Sequence, residues 1–237
     1  MRNKLTIVII LITLFCTCTS SAIVCQNVGF YETGELKTQF SIKDGKREGV
    51  TKEFYKSGKL KFEWNYINDS LNGETIQYYE DGSYTKWLYK SDILIDGKTY
   101  HSSAKLKESY NYKNGKRDGK SYRYYETGEI EIIWNYDRGE LKESKTYFKS
   151  GQIKIEFLYV NGIPEGIAKE FAQNGKLFRE YMYENGQLNG ITKEYYTKGG
   201  LKYEWKYQNG KLNGTTREYF ENGSLKNIWA YDDGKLN

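Results

Sequence analysis

Few residues in this chain have the type and spacing for catalysis. His101 is the only histidine, so no pair of imidazoles can hold a metal or share a proton. It stands in a slot that Tyr31, Tyr55 and Tyr125 occupy elsewhere, and reads as an aromatic substitute. Carboxylates are common, as in Glu126-Thr127-Gly128-Glu129, and a carboxylate pair can cleave glycosides. No such pair is distinguished from its neighbours along the chain, however. Serines and threonines lack an adjacent base. The glycines recur periodically, as turn residues do, and none opens a phosphate-binding helix. No cofactor site is expected, and the chain reads as a non-enzyme.

The three cysteines, Cys16, Cys18 and Cys25, all lie in or beside residues 1–25. Arg2 and Lys4 precede an apolar run from Leu5 to Phe15, followed by the small residues Thr17 to Ala22. This is the order of a secretory signal peptide, with cleavage after Ala22. The run is too short to span a bilayer, which takes about 20 residues. An uncleaved anchor and a lipoprotein carrying lipid on one cysteine remain alternatives. Either way a secreted or cell-envelope location is expected. The following domain, residues 26–237, has no cysteine of its own.

Fixed-period similarity runs through that domain. An anchor glycine recurs at Gly34, Gly58, Gly82, Gly128, Gly151, Gly175, Gly199 and Gly223, with Ala104 in the fourth slot. The spacing is 24 residues, except 22 between Gly82 and Ala104 and 23 between Gly128 and Gly151. Four residues before the anchor stands an aromatic, as in Phe54, Tyr78 and Tyr195. Two after it stands a Leu, Ile or Tyr. Six after it come Phe40, Trp64, Leu88, Tyr110, Trp134, Phe157, Tyr181, Trp205 and Trp229. Eight after it, seven of nine copies carry tyrosine, among them Tyr66, Tyr136, Tyr207 and Tyr231.

These even offsets, with Lys and Glu between them, predict β-strands whose apolar columns share one face. Asn-Gly and Asp-Gly pairs such as Asn185-Gly186 and Asp44-Gly45 fit tight hairpin turns. A second glycine four residues later (Gly49, Gly73, Gly119, Gly166, Gly190, Gly214) marks a strand start or a bulge. The third and fourth copies lack the usual second turn. The expected fold is all-β: an elongated, curved, single-layer antiparallel sheet of about nine tandem β-hairpin repeats. Gly58, Gly128, Gly175, Gly199 and Gly223 are its structural turn glycines.

The alternation of Asn-Gly-Lys-Leu-Asn-Gly (209–214) with Glu-Tyr-Phe-Glu-Asn-Gly-Ser-Leu-Lys (218–226) resembles the MORN-repeat variant family. It recurs in Asn185–Lys202 and more loosely in Asn114–Glu131, and the resemblance covers about residues 28–237. It implies an extended, MORN-like scaffold of hairpins with no catalytic motif. Bacterial antitoxin-type members imply an immunity-like role, although a leader departs from a cytoplasmic antitoxin. MORN repeats elsewhere imply membrane-lipid contact and protein assembly.

A thin sheet cannot hide so many rings, and exposed rings mark binding surfaces. Trp64, Tyr66, Trp134, Tyr136, Trp205, Tyr207, Trp229 and Tyr231 are therefore the candidate partner-binding aromatics. A protein partner is the first expectation, and a glycan or cell-wall polymer stacked on the rings is the second. A lipid surface against Lys37, Lys61, Lys107, Lys154, Lys202 and Lys226 is the third, beside membrane attachment through the leader. The net charge of +5 comes from interspersed Lys and Glu, without the clustered stripe that nucleic acid requires.

Overall fold

The computed structural model describes residues 13–19 and 22–237, and side chains from Val24 onward. Most of the leader expected at residues 1–25 lies outside the described residues. Within it, strand Thr13–Thr19 pairs antiparallel with Ala22–Phe30, and Cys25 is disulfide-bonded. The chain divides into two compact units, Met1–Gly115 and Lys116–Asn237. Both are antiparallel sheets of successive hairpins, and no described residue is helical.

The hairpin of Gly49–Phe54 and Leu60–Ile67 illustrates the regular copy. Its anchor turn is closed by the Gly58 N–H on the Tyr55 carbonyl at 2.9 Å and the Tyr55 N–H on the Lys59 carbonyl at 2.8 Å. The second turn uses two consecutive residues of positive φ, as at Asn185 (51°) and Gly186 (79°), matching the twist of the flanking strands. Contrary to expectation, the third copy has this turn too. Ser91 and Asp92 form it at φ 47° and 64° without any glycine. The fourth copy forms its own at Asn114 and Gly115, at 52° and 73°. Small polar side chains tolerate the left-handed region well enough to hide the turn from a search for Asn-Gly.

Two bulges account for the repeat length. In the regular hairpin Glu53 faces Phe62 but Phe54 faces Leu60, which leaves Lys61 without a cross-strand partner. Farther along, Arg47 faces Ile42 and Lys52 faces Gln39, so Glu48–Thr51 spans the length of Phe40 and Ser41. The glycine at strand start, Gly49, sits inside this second bulge at φ 80°. The copy anchored at Gly82 lacks the first bulge, because Gln77 faces Thr85 and Tyr78 faces Tyr84. Strands Ile93–Tyr100 and Glu140–Tyr147 each lack one residue of the second. These deletions produce the short intervals of 22 and 23 residues.

The missing bulge also shifts the columns. Trp87, not Leu88, faces Thr75 as Trp64 faces Thr51, and Tyr89 faces Gly73 as Tyr66 faces Gly49. Leu88 points away from that face and is exposed. The tyrosine column therefore fills eight copies rather than seven.

Ala104 is held at φ 60°, where a Cβ costs about 1–2 kcal/mol. Gly128 adopts φ 105° with open space around the position of a Cβ, so any cost of a side chain there is conformational. Ala104→Gly should raise stability by about 0.5–1 kcal/mol after the glycine's extra chain entropy, while Gly128→Ala should lower it by about 1–3 kcal/mol. Urea melts of the two variants check the pair.

Candidate functional site

Apart from the carboxylates Glu194 and Glu218, the buried positions in these sheets are small rather than apolar. Asn27, Thr51, Thr75, Gly97, Ser121, Ser144, Ala168, Thr192 and Thr216 stand seven residues before successive anchors, and all are buried. Ala168 is the one buried hydrophobic residue among the described residues. Each small residue lies directly across from a large ring. Thr51 faces Trp64, Ser121 faces Trp134, Thr192 faces Trp205 and Thr216 faces Trp229. The ring lies down over its small partner and closes that part of the sheet from water. This column, missed by a search for large apolar residues, is legible as nine small side chains at one offset.

All eight candidate aromatics are half-buried. Within each unit they line one face with their neighbours: Phe62 stacks on Trp64 at 4.9 Å in the first and Tyr203 on Trp205 at 5.0 Å in the second. Arginines cover several of them. Arg123 lies 5.2 Å from the Trp134 ring and Arg117 5.3 Å from Tyr136, donating to its hydroxyl at 2.9 Å. Arg47 lies 5.4 Å from Tyr66. Burial pushes the Tyr207 hydroxyl up. These rings form the sheet's own apolar layer, with part of each left in solvent. The five structural glycines all have positive φ, from 78° at Gly175 to 105° at Gly128.

The other face differs from the one-face expectation. The bulge at Lys61 turns Phe54 and Leu60 to the side opposite Trp64, and the same switch recurs at most anchors. There the aromatics meet carboxylates. Tyr195 donates to Glu180 at 2.7 Å and Tyr219 to Glu204 at 2.8 Å. Burial, then the bond to Glu180, pushes the Tyr195 hydroxyl up to about 12.

At the anchor turns, Tyr31, Tyr55, Tyr125 and Tyr196 donate to backbone carbonyls of the following copy at 2.7, 2.9, 2.7 and 2.7 Å. His101 occupies the equivalent slot half-buried, and its Nε2 has no hydrogen-bond partner among the described residues. Glu53, Glu194 and Glu218 meet Lys61, Lys202 and Lys226 at 2.9, 3.1 and 2.8 Å. Three ammonium groups of the lysine column are thus already paired. The bond from Lys226, followed by one from Asn227, holds the Glu218 carboxyl below the usual range.

Exposed apolar atoms concentrate elsewhere. In the second unit Leu158, Val160, Ile163, Ile167, Met182 and Ile191 are 40–55% exposed. Ile167 faces Met182 across one hairpin, and an added Cβ on Gly190, beside Ile191, would lie 3.1 Å from the Met182 side chain. Leu158, Ile167, Met182 and Ile191 each adjoin a residue of the ring-bearing face in sequence, so they occupy the opposite face. Several counterparts in other copies are polar, such as Asn65, Asn135 and Lys206, or Glu74, Lys120 and Glu143, while Val50 and Leu88 of the first unit are exposed apolar residues in the same slots. The cluster in the second unit, unnoticed among the aromatic columns, is a contiguous aliphatic patch. A hollow of about 170 Å³ on the same unit is lined by Lys120, Ile133, Asn135, Glu143, Lys145 and Tyr147, and a wider, more open one of about 410 Å³ by Tyr125, Phe148, Lys149, Ser150, Gln152, Lys154 and Gln173. Among the described residues no group of three His, Cys, Asp or Glu is placed to hold a metal ion.

The MORN repeat variant family matches residues 47–68, 117–138, 141–161, 164–187, 188–211 and 212–233, together more than half of the chain. The chain belongs to this family. Its hairpin copies and their bulges are thus MORN-type repeats, and the protein is a repeat scaffold. No curated protein matches it. Among solved structures, a GtfA/B complex bound to UDP and GlcNAc is 18% identical over 47% of this chain, with a TM-score of 0.21, and this chain spans 22% of that one. A porin-like protein from Bacteroides uniformis is 7% identical over 94% of this chain and 90% of its own length, with a TM-score of 0.20.

Two outcomes test this packing. The Ser121 hydroxyl is wholly buried without a hydrogen-bond partner among the described residues. Ser121→Ala should therefore leave stability unchanged or raise it by up to about 1 kcal/mol. Ser121→Leu should cost about 1–3 kcal/mol by lifting Trp134, as thermal melts would show. For Tyr195, a folded value above the ordinary 10.0 means that its contribution is complete below pH 10 and is lost as pH rises towards about 12. The stability gap between the native chain and Tyr195→Phe should narrow over that window in urea melts.

Proposed function

We propose that this protein is a non-enzymatic, exported MORN-type scaffold that binds a protein partner in the cell envelope or outside the cell. The observation that carries the reading is the aliphatic patch of the second unit, because adjacent copies contribute large apolar side chains to it and leave them in water. Contiguous exposed apolar surface of this kind marks association sites. The half-buried rings on the opposite face, Trp134, Tyr136, Trp205 and Tyr207, offer a second contact surface. An immunity-like or envelope-assembly role is the finer reading, supported by the family's repeated surface.

Export rests on the charged, apolar and small-residue order of residues 1–25. The exposed rings also favour a second reading, in which a glycan stacks on them.

The test uses the native chain as bait against envelope and secreted fractions of its host, beside Ile167→Lys/Ile191→Lys. Both replaced side chains are about half exposed, so the variant should fold. A single enriched protein lost from the variant supports the reading. Partner capture indifferent to the variant moves the contact to the ring-bearing face. Retention on wall polysaccharide with no protein partner replaces the reading with the glycan one. The intact mass of the chain from the same fractions reads the cleavage.

A further inference from the structure

In the second unit three Asn-Gly turns have both residues at positive φ: Asn161-Gly162, Asn185-Gly186 and Asn209-Gly210. Their backbones are nearly superposable in φ, with Asn at 52°, 51° and 49° and Gly at 74°, 79° and 80°. Their surroundings differ at the glycine nitrogen. The Gly186 N–H donates to the Pro164 carbonyl at 3.0 Å and the Gly210 N–H to the Leu188 carbonyl at 2.9 Å. The Asn185 N–H is also held, by the Glu165 carboxylate at 2.8 Å. The Gly162 N–H has no hydrogen-bond partner among the described residues, and Asn161 and Gly162 are both exposed.

The cause lies in the preceding strand. The acceptors Pro164 and Leu188 sit in two-residue strands just ahead of a full bulge. Before the Asn161 turn the equivalent segment belongs to the continuous strand Glu140–Tyr147, which lacks one bulge residue. That strand instead pairs with Ile153–Val160 as far as Leu158. At the regular hairpins the ladder runs one pair farther, to Gly166 with Tyr183 and Gly190 with Tyr207, and the turn beyond is pinned by its own bonds. Beside the deletion the ladder stops one pair short, and the turn beyond it is left unpinned.

We infer that Asn161 is a site of spontaneous covalent modification. The nitrogen of Gly162, once deprotonated, attacks the Asn161 Cγ. A C–N bond forms, the bond from Cγ to the side-chain nitrogen breaks, and ammonia leaves with the proton. The resulting five-membered imide takes up one water molecule from solvent and opens at either carbonyl, giving aspartate or isoaspartate. Glycine offers no side chain to obstruct the attack. At Gly186 and Gly210 the nucleophile must first be released from a backbone carbonyl, whereas at Gly162 it is free. Isoaspartate adds a methylene to the main chain within a two-residue turn and removes the geometry that joins Ile153–Val160 to the next strand. The modification would thus act on the hairpin that carries Leu158, Val160 and Ile163 of the aliphatic patch.

The experiment incubates the full folded chain in mildly alkaline buffer and follows Asn161, Asn185 and Asn209 by peptide mapping that resolves aspartate from isoaspartate. A parallel incubation in urea removes the fold. In the folded chain Asn161 should convert about three- to tenfold faster than the other two, the factor that one net backbone hydrogen bond supplies. In urea the three rates should converge. Equal rates in the folded chain, or a preference for Asn161 that persists in urea, would overturn the inference, the second by assigning the difference to local sequence.

Discussion

The structure depends on a cross-strand pair of unequal partners, a small side chain lying beneath a large ring. A sheet without a second layer has no opposing surface against which to bury a residue, so apolar contact must be made within its own face. Tryptophan or tyrosine can do this only if the position across from it is nearly empty, because two large groups would hold each other upright in solvent. Thr51 under Trp64 and Ser121 under Trp134 meet that condition. The wholly buried residue is then the small one, and the ring is the cover. This explains how a chain with only 38% hydrophobic residues still orders so much strand. It also explains why the rings remain half in water whether or not a partner uses them.

The bulges give this arrangement two faces with different chemistry. If every strand alternated without interruption, all even positions around an anchor would share a face. The extra residue at Lys61 breaks the alternation where the strand leaves its turn. It sends Phe54 and Leu60 to one side and the Phe62–Trp64–Tyr66 series to the other. It also brings the displaced lysine to Glu53 at 2.9 Å, so the residue that disrupts the ladder finds a charged partner. The same cluster around Glu194 and Glu218 shows the bulge to be a regular part of the repeat.

The hairpins, their turns and most of the ring columns were legible in the sequence, because period-two alternation and Asn-Gly pairs act over a few residues and need no tertiary knowledge. What was not legible came from register. Counting six residues from Gly82 arrives at Leu88, yet Trp87 fills the slot, because a deletion in a bulge changes parity without changing composition. The turn at Ser91 and Asp92 was missed because positive φ there is imposed by the strands it joins rather than by glycine. The small column escaped notice for a different reason: Thr, Ser, Gly and Ala look unlike one another until their shared place beneath a ring is known. The aliphatic patch was hidden because Ile167 and Met182 are unremarkable residues, and only their pairing across a hairpin and their proximity to Gly190 beside Ile191 make them informative.

Repetition also decides where function can reside. Every contact that builds the sheet is made nine times over in some form, so a residue that obeys the pattern has a structural reason to be there. Trp205 over Thr192 and Tyr195 on Glu180 obey it, and their presence is accounted for before any partner is considered. Leu158, Ile163 and Ile191 do not. An aliphatic side chain about half exposed gains little from folding, and a polar residue fills the same slot at Asn135 or Lys120 without loss to the sheet. Such residues are stabilised only when something covers them. A second surface laid on the face opposite the tryptophans would cover them and supply the burial that the single sheet does not.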